Sequence, residues 1–293
     1  LSYYNGCSTG GWQGLAAAQR YPEDFDAIIA GAPVYNRPHL HASEMQKFVE
    51  IMTDETRLID RDRVEMIADA VIKSCDADDA IADGLINNPQ VCRFDPSTLA
   101  CTGGATDMCL TPNQVLSLER AYTPTFTEDG EFVYTGHAYG FELNWRMPEP
   151  DTEPRTSPTA SFRYLGHEDP NWNWRDFDLT ADLALVMENA GDLEATDADL
   201  SEFKERGGKL LIYHGWNDPG PSPLSTIQYY DQVLDAMGPS QEDWMRLYMM
   251  PGMGHCRGGA GPDQANFLAA LERWRESDAV PERIIASKVT NGQ

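Results

Sequence analysis

Apolar positions along the chain fall into two regimes. Residues 25–33 (Phe-Asp-Ala-Ile-Ile-Ala-Gly-Ala-Pro) form a short apolar run closed by Gly and Pro, as expected of a strand buried on both faces. Ahead of it, residues 11–20 read as a helix with Leu15, Ala16 and Ala18 for packing. Helix, strand and turn in succession predict an α/β sheet. Residues 43–54 and 60–73 have helical spacing, the second with Val64, Ile67, Ala68 and Val71 on one face. From Cys75 to about Thr180 the periodicity dissolves into Pro, Gly, Asp, Asn and aromatic residues, which reads as an inserted, loop-rich lid that is stapled rather than packed. Order then returns. Helices are expected at 181–187, 197–206, 225–237 and 265–276, and strands at 210–213 and 247–250. The expected division is therefore a discontinuous core, 1–45 with 185–293, and a lid, 46–184.

Composition narrows the function. The chain has 293 residues, 41% of them hydrophobic, enough for a sizeable core, and no apolar run of membrane-spanning length. With 47 acidic against 22 basic residues the formal charge is −25, which argues against nucleic acid and anionic membrane surfaces as partners and leaves a small molecule. Six cysteines, an even count, suggest an oxidising compartment, either secreted or periplasmic.

Candidate chemistry begins at Gly6-Cys7-Ser8-Thr9-Gly10, which fits the G-x-S-x-G turn that lifts a nucleophilic serine from strand end to helix start. The flanking glycines are expected to avoid collision across the turn, and the backbone N–H of Thr9 to face the oxyanion. A serine needs a base and an orienting acid, in the chain order Ser, Asp, His for this kind of sheet. Asp218 follows the strand at 210–213 and His255 follows the strand at 247–250. An Asp-Pro turn and an inert loop histidine are the plain readings of these two. His214 competes as base, but it lies beside the acid and reads as structural. The cysteines decide between the histidines: Cys7 precedes Ser8 and Cys256 follows His255, so a Ser8–His255 contact would bring the two sulfurs into bonding range.

The stretch from Cys75 to Ile86 carries Asp76, Asp78, Asp79 and Asp83. Such crowding suits Ca²⁺, with side-chain oxygens from Asp76, Asp79 and Asp83 and backbone carbonyls from Ile81 and Leu85; a solvated acidic loop accounts for it equally. Cys75–Cys92 would close this loop, and Cys101–Cys109 would staple a Gly-Gly turn. Phe162 and Trp172 are candidates for a wall stacking on an aromatic substrate, or for the lid's own core. Arg163 could meet a substrate carboxylate or form an ordinary ion pair.

Taken together, Gly6-Cys7-Ser8-Thr9-Gly10-Gly11, the acidic loop, Phe162-Arg163-Tyr164-Leu165, Asp169-Pro170-Asn171-Trp172, His214-Gly215-Trp216-Asn217-Asp218-Pro219 and Pro251-Gly252-Met253-Gly254-His255-Cys256 resemble the tannase and feruloyl esterase family of serine hydrolases. That family also includes bacterial mono(2-hydroxyethyl) terephthalate hydrolases. The resemblance spans the chain and implies an α/β-hydrolase core, a large lid inserted after the strand at 27–30, a structural calcium in that lid, and export. It implies Ser8, Asp218 and His255 as the triad, with Cys7–Cys256 as its disulfide. It implies cleavage of hydroxycinnamoyl, galloyl or terephthaloyl esters, feruloyl esters foremost. Members of the family carry further strands and the second oxyanion donor ahead of the serine turn, so another segment of the protein is expected to supply them. The alternative is a non-catalytic, calcium-stabilised binding domain or an inactive fragment.

Overall fold

The computed structural model describes residues 1–103, 108–145, 147–148 and 152–289. Its centre is a parallel sheet of β1 (Tyr3–Cys7), β2 (Ala27–Gly31), β5 (Lys209–Gly215) and β6 (Met245–Met250), in the spatial order β1-β2-β5-β6. Both faces are covered, which is why these strands are nearly continuous in apolar residues. Ile28, Ala30, Leu210 and Ile212 point to one face. There they meet Leu15 and Ala18 of α1 (Thr9–Arg20) and Tyr229 and Val233 of α8 (Pro223–Met237). Ala27, Ile29, Leu211 and Tyr213 point to the other, against Leu271 and Trp274 of α9 (Phe267–Ser277). Cys7 pairs with Gly31 and Gly31 with Tyr213, so β1 and β2 finish level at their carboxyl ends while β5 runs two residues further beside β6. Loops leaving that edge are where α/β sheets place their sites.

Between β2 and β5 the chain builds two further cores. In one, α2 (Arg37–Met52) packs Leu40 and Met45 against Val133 and Tyr134 of the hairpin β3–β4 (Thr125–Phe126, Phe132–Tyr134) and against Phe162, Trp172 and Trp174. In the other, α3 (Arg61–Cys75) packs Val64, Ile67 and Val71 on Leu118 of α4 (Pro112–Tyr122). A short helix α5 (Thr156–Ala160) continues into a π-turn at Ser161–Gly166. The segment closes with α6 (Leu179–Ala190) and α7 (Ser201–Glu205). A small antiparallel pair, β7 (Gln264–Ala265) with β8 (Ala286–Ser287), flanks α9.

Two differences from the expected elements have local causes. Helix α2 begins at Arg37 rather than near 43, because Pro38 sits in the first turn, where its missing N–H costs nothing. Helix α4 lies in the stretch expected to be loop, and it is nucleated by a capping box in which Thr111 and Gln114 each accept from the other's backbone N–H. The boundaries expected at 45/46 and 184/185 fall inside α2 and α6, both unbroken helices.

Candidate active site

Ser8 stands between β1 and α1 at φ 63° and ψ −121°, a conformation that L residues rarely adopt and that sharp catalytic turns impose. Its N–H is tied to Gly31 O at 2.9 Å. Its side chain makes no capping bond to α1, so the Ser8 hydroxyl leaves the N–H groups of the helix's first turn, Thr9's among them, uncapped. The glycine requirement is uneven. A Cβ on Gly6 would sit 2.5 Å from Gly10 O and one on Gly11 2.3 Å from Gly31 O, whereas one on Gly10 would meet nothing nearer than 3.7 Å. The expected collision thus holds for Gly6 and not for Gly10; the crowded partner position is Gly11.

Asp218 and His255 meet across the loops that follow β5 and β6. His255 Nδ1 donates to Asp218 Oδ2 at 2.6 Å. Asp218 is fully buried, while the His255 side chain is 36% exposed, as a group handling a ligand's proton must be. His214 is not a rival base. It is buried at the end of β5, and its Nε2 donates both to Asp218 Oδ2 at 3.1 Å and to Pro221 O at 3.1 Å. Two acceptors at Nε2 fix the proton there, so Nδ1 accepts from Thr226 Oγ1 at 2.7 Å. Gly220 N–H completes the shell at Asp218 Oδ1, 2.9 Å away. Burial alone would raise the Asp218 carboxyl, but the bonds from His214 and His255 overcome it and hold the group down at about 2.

A Ser8–His255 hydrogen bond is not formed in this structure; such bonds often tighten only around substrate. What holds the serine turn to the histidine loop is the Cys7–Cys256 disulfide, with Cα atoms 6.0 Å apart and 249 residues between them in sequence. Cys256 has positive φ (61°), as does Ser8 next to Cys7, so strained backbone lies at one end of the clamp and adjoins the other. Closing so long a loop restricts the unfolded chain by about 5 kcal/mol on the loop-entropy scale. Replacing both cysteines by serine is expected to lower the melting temperature and to cut turnover at temperatures where the protein is still folded. A variant equally active at 25 °C would show that the bridge only stabilises.

The segment after β4 presses on the acid's loop. Tyr134 Oη accepts from Ser222 N–H at 3.1 Å and Ser222 Oγ donates to Gly136 O at 2.6 Å. Asn144 Nδ2 donates to Asn217 O at 3.0 Å. This segment is braced by Glu142, 1% exposed, which accepts from Tyr122 Oη at 2.7 Å and from Gly140 N–H at 2.9 Å. Burial pushes the Glu142 carboxyl up from 4.5 to about 7 despite those bonds. The folded state therefore holds this proton more tightly than the unfolded one, and the associated stability, present below pH 4.5, is lost as pH rises through 7. A rise of that size corresponds to about 3 kcal/mol. Urea unfolding at pH 4.5 and pH 8 should show that loss for the native chain, and Glu142→Gln should remove most of the pH difference.

The other anticipated residues are placed as follows. Cys75–Cys92 and Cys101–Cys109 are bonded as expected. Asp76 Oδ1 accepts from the N–H groups of Asp83 and Gly84 at 3.1 and 2.9 Å, and Asp83 Oδ1 from Leu85 N–H at 3.1 Å, so the acidic loop closes back on Asp76. Ile81 is exposed, and the side chain of Asp79 lies outside the described residues. Among the described residues, the one close group of metal-ligand types is Cys75, Asp78 and Cys92, whose sulfurs are already joined to each other. Phe162 is completely buried and Trp172 is 8% exposed, packed with Phe177 in the α2 core. Of the two readings offered for them, substrate wall or core of the inserted segment, this burial favours the core, since they offer a ligand almost no surface. Arg163 donates to Trp172 O at 3.2 Å, a structural contact. No helix among the described residues is long and apolar enough to cross a membrane.

A family model described as "Tannase and feruloyl esterase" matches residues 1–293. Among curated proteins, a probable feruloyl esterase B-2 of Aspergillus terreus is 33% identical over 311 residues, covering 99% of this chain and 59% of that protein. An uncharacterized esterase of Xanthomonas campestris pv. campestris is 32% identical over 343 residues, covering 99% and 58%. Among solved structures, feruloyl esterase B from Aspergillus oryzae superposes with a TM-score of 0.93 at 27% identity, over 100% of this chain and 62% of that one. The chain thus spans about three fifths of the length of the relatives it matches.

Proposed function

The chain belongs to the tannase and feruloyl esterase family, and from that premise we propose that it is a carboxylic ester hydrolase acting on aromatic esters through Ser8, His255 and Asp218, feruloyl-type esters first. The observation that carries this reading is the buried Asp218–His255 pair clamped by a disulfide to the strained Ser8 turn.

In the proposed reaction Ser8 Oγ attacks the ester carbonyl while His255 Nε2 takes its proton. Asp218 holds the Nδ1–H and stabilises the imidazolium. The oxyanion forms opposite the Thr9 N–H, at the positive end of α1. Collapse expels the alcohol, which receives the proton from His255. Water, activated by the same histidine, then attacks the acyl-serine and releases the aromatic acid. The relatives are longer than this chain and β1 is an edge strand of the described sheet, so the proposal leaves the second oxyanion donor to a further segment packed beside β1.

The segment between β2 and β5 is assigned the role of a lid. For a calcium there, the oxygen-only donor set of Asp76, Asp79, Asp83 and the carbonyls of Ile81 and Leu85 fits a hard cation. The turn of the chain back onto Asp76 gathers the acidic ends of the loop. Such an ion, when bound, would supply charge neutralisation to the loop and no catalytic step. Three disulfides support export, to the periplasm or the outside.

The test is hydrolysis of methyl ferulate, methyl gallate and mono(2-hydroxyethyl) terephthalate, alongside labelling by a fluorophosphonate, which requires an activated serine. Turnover of any ester with label on Ser8 supports the reading and chooses the substrate. No turnover and no label on folded, calcium-supplied protein would favour the non-catalytic binding domain.

A further inference from the structure

The side chain of Asn144 stands where the loops that carry Asp218 and His255 meet. Those loops already touch. Asn217 N–H donates to Met253 O at 2.9 Å, Trp216 N–H donates to Met250 O at 3.0 Å, and a Cβ on Gly215 would strike Met253 O. Asn144 Nδ2 donates to Asn217 O at 3.0 Å, on the residue before the acid. The same nitrogen would lie 3.7 Å from a Cβ on Gly254, the residue before His255. One amide therefore borders the chain neighbour of each member of the pair. The atom at Asn217 is a carbonyl oxygen, which accepts only, so the amide must present its NH₂ there.

Asn144 comes from neither loop. It ends a short turn, Glu142–Asn144, in the segment inserted between β2 and β5, and that turn is held from several sides. Asn144 N–H donates to Phe141 O at 2.9 Å, and Trp145 N–H to Glu142 O at 2.9 Å. Phe141 is completely buried, stacked on His137 with ring centres 4.4 Å apart and tilted against Trp145 at 5.3 Å. Arg61 of α3 donates to Leu143 O at 3.4 Å. The bonds that Glu142 accepts from Tyr122 of α4 and from Gly140 N–H fix the start of the turn. A side chain on so constrained a turn loses little freedom in making its hydrogen bond.

We propose that Asn144 is a positioning residue that holds the Asp218 and His255 loops in register, so that the inserted segment sets the geometry of the pair. Its kinetic consequence rests on the esterase reading above. Asn144 handles no proton of the reaction and acts through Asn217 and Gly254. The Asp218–His255 bond it guards is 2.6 Å long, and a shift of either loop lengthens it. A misplacement of about 1 Å at reacting groups costs about 100-fold in rate.

Asn144→Ala removes the amide, and Asn144→Asp keeps its volume but turns an acceptor toward Asn217 O. In each, kcat on an ester that the native chain hydrolyses is expected to fall by about 10- to 100-fold, with KM within about twofold. The melting temperature should move by no more than about 3 °C. The second reading is the far-downfield proton resonance of His255 Nδ1–H, identified by its loss in His255→Ala. It should move upfield or broaden in both variants as the short bond to Asp218 loosens. An unmoved resonance overturns the proposal whatever the melting temperature does, and so does a kcat within about twofold of native. If Asn144→Ala does not fold, Asn144→Asp decides by the same two readings. Should the native chain hydrolyse none of the esters, the esterase reading fails on its own and the resonance decides this one. Shifted in the variants it sustains the proposal, and unmoved it ends it.

Discussion

Ser8→Ala is expected to lower kcat by about four to six orders of magnitude, with the melting temperature moved by no more than about 2 °C. The two halves of this expectation have separate causes. The hydroxyl makes no capping bond to α1, so folding loses little with it. The strained backbone is inherited unchanged, since alanine at φ 63° is no worse placed than serine. Chemistry, in contrast, loses the atom that forms the acyl bond in the proposed reaction. Stopped-flow release of alcohol from an activated ester, beside a thermal melt, measures both. Residual turnover above about a hundredth of native would remove Ser8 from the nucleophile's role.

Asp218→Asn should cost about four orders of magnitude in kcat and, unlike Ser8→Ala, should also destabilise the protein. Three donors converge on this buried carboxylate: His255 Nδ1, His214 Nε2 and Gly220 N–H. An amide has a single oxygen. If it faces the histidines, its NH₂ opposes Gly220 N–H; if it faces Gly220, the NH₂ opposes both imidazoles. The second arrangement drives His255 to the tautomer with its proton on Nε2, which cannot accept one from Ser8. Either leaves a buried donor unmade, at about 1–3 kcal/mol. Loss of activity without loss of stability would mean that the loop adapts, and that orientation alone was at stake.

Much of this site was legible in the sequence because its parts announce themselves locally. A G-x-S-x-G turn, an Asp and a His each just past an apolar strand, and a cysteine beside both the serine and the histidine are all short-range signals. The sheet was legible for the same reason, as buried parallel strands leave unbroken apolar runs at residues 27–31 and 210–213. Helix α4 could have been found from Thr111-Pro-Asn-Gln114, a capping box with proline in the first turn. The sequence left Phe162 and Trp172 between two readings, because an aromatic cluster reads alike whether it lines a pocket or fills a core. His214 was placed correctly beside the acid, but its fixed proton follows from Pro221 O and Thr226, neighbours that only the folded loop supplies.

The bond between Cys7 and Cys256 has a consequence for how the protein withstands proteolysis. Nearly every surface loop lies between those two residues, so proteases will meet the chain there first. A cut at any point in that span yields two polypeptides that remain one molecule, with the residue beside the serine still covalently attached to the residue beside the histidine. A nicked preparation would run as two bands on a reducing gel and one without reductant, and its covalent hold on the reacting pair would survive the cut.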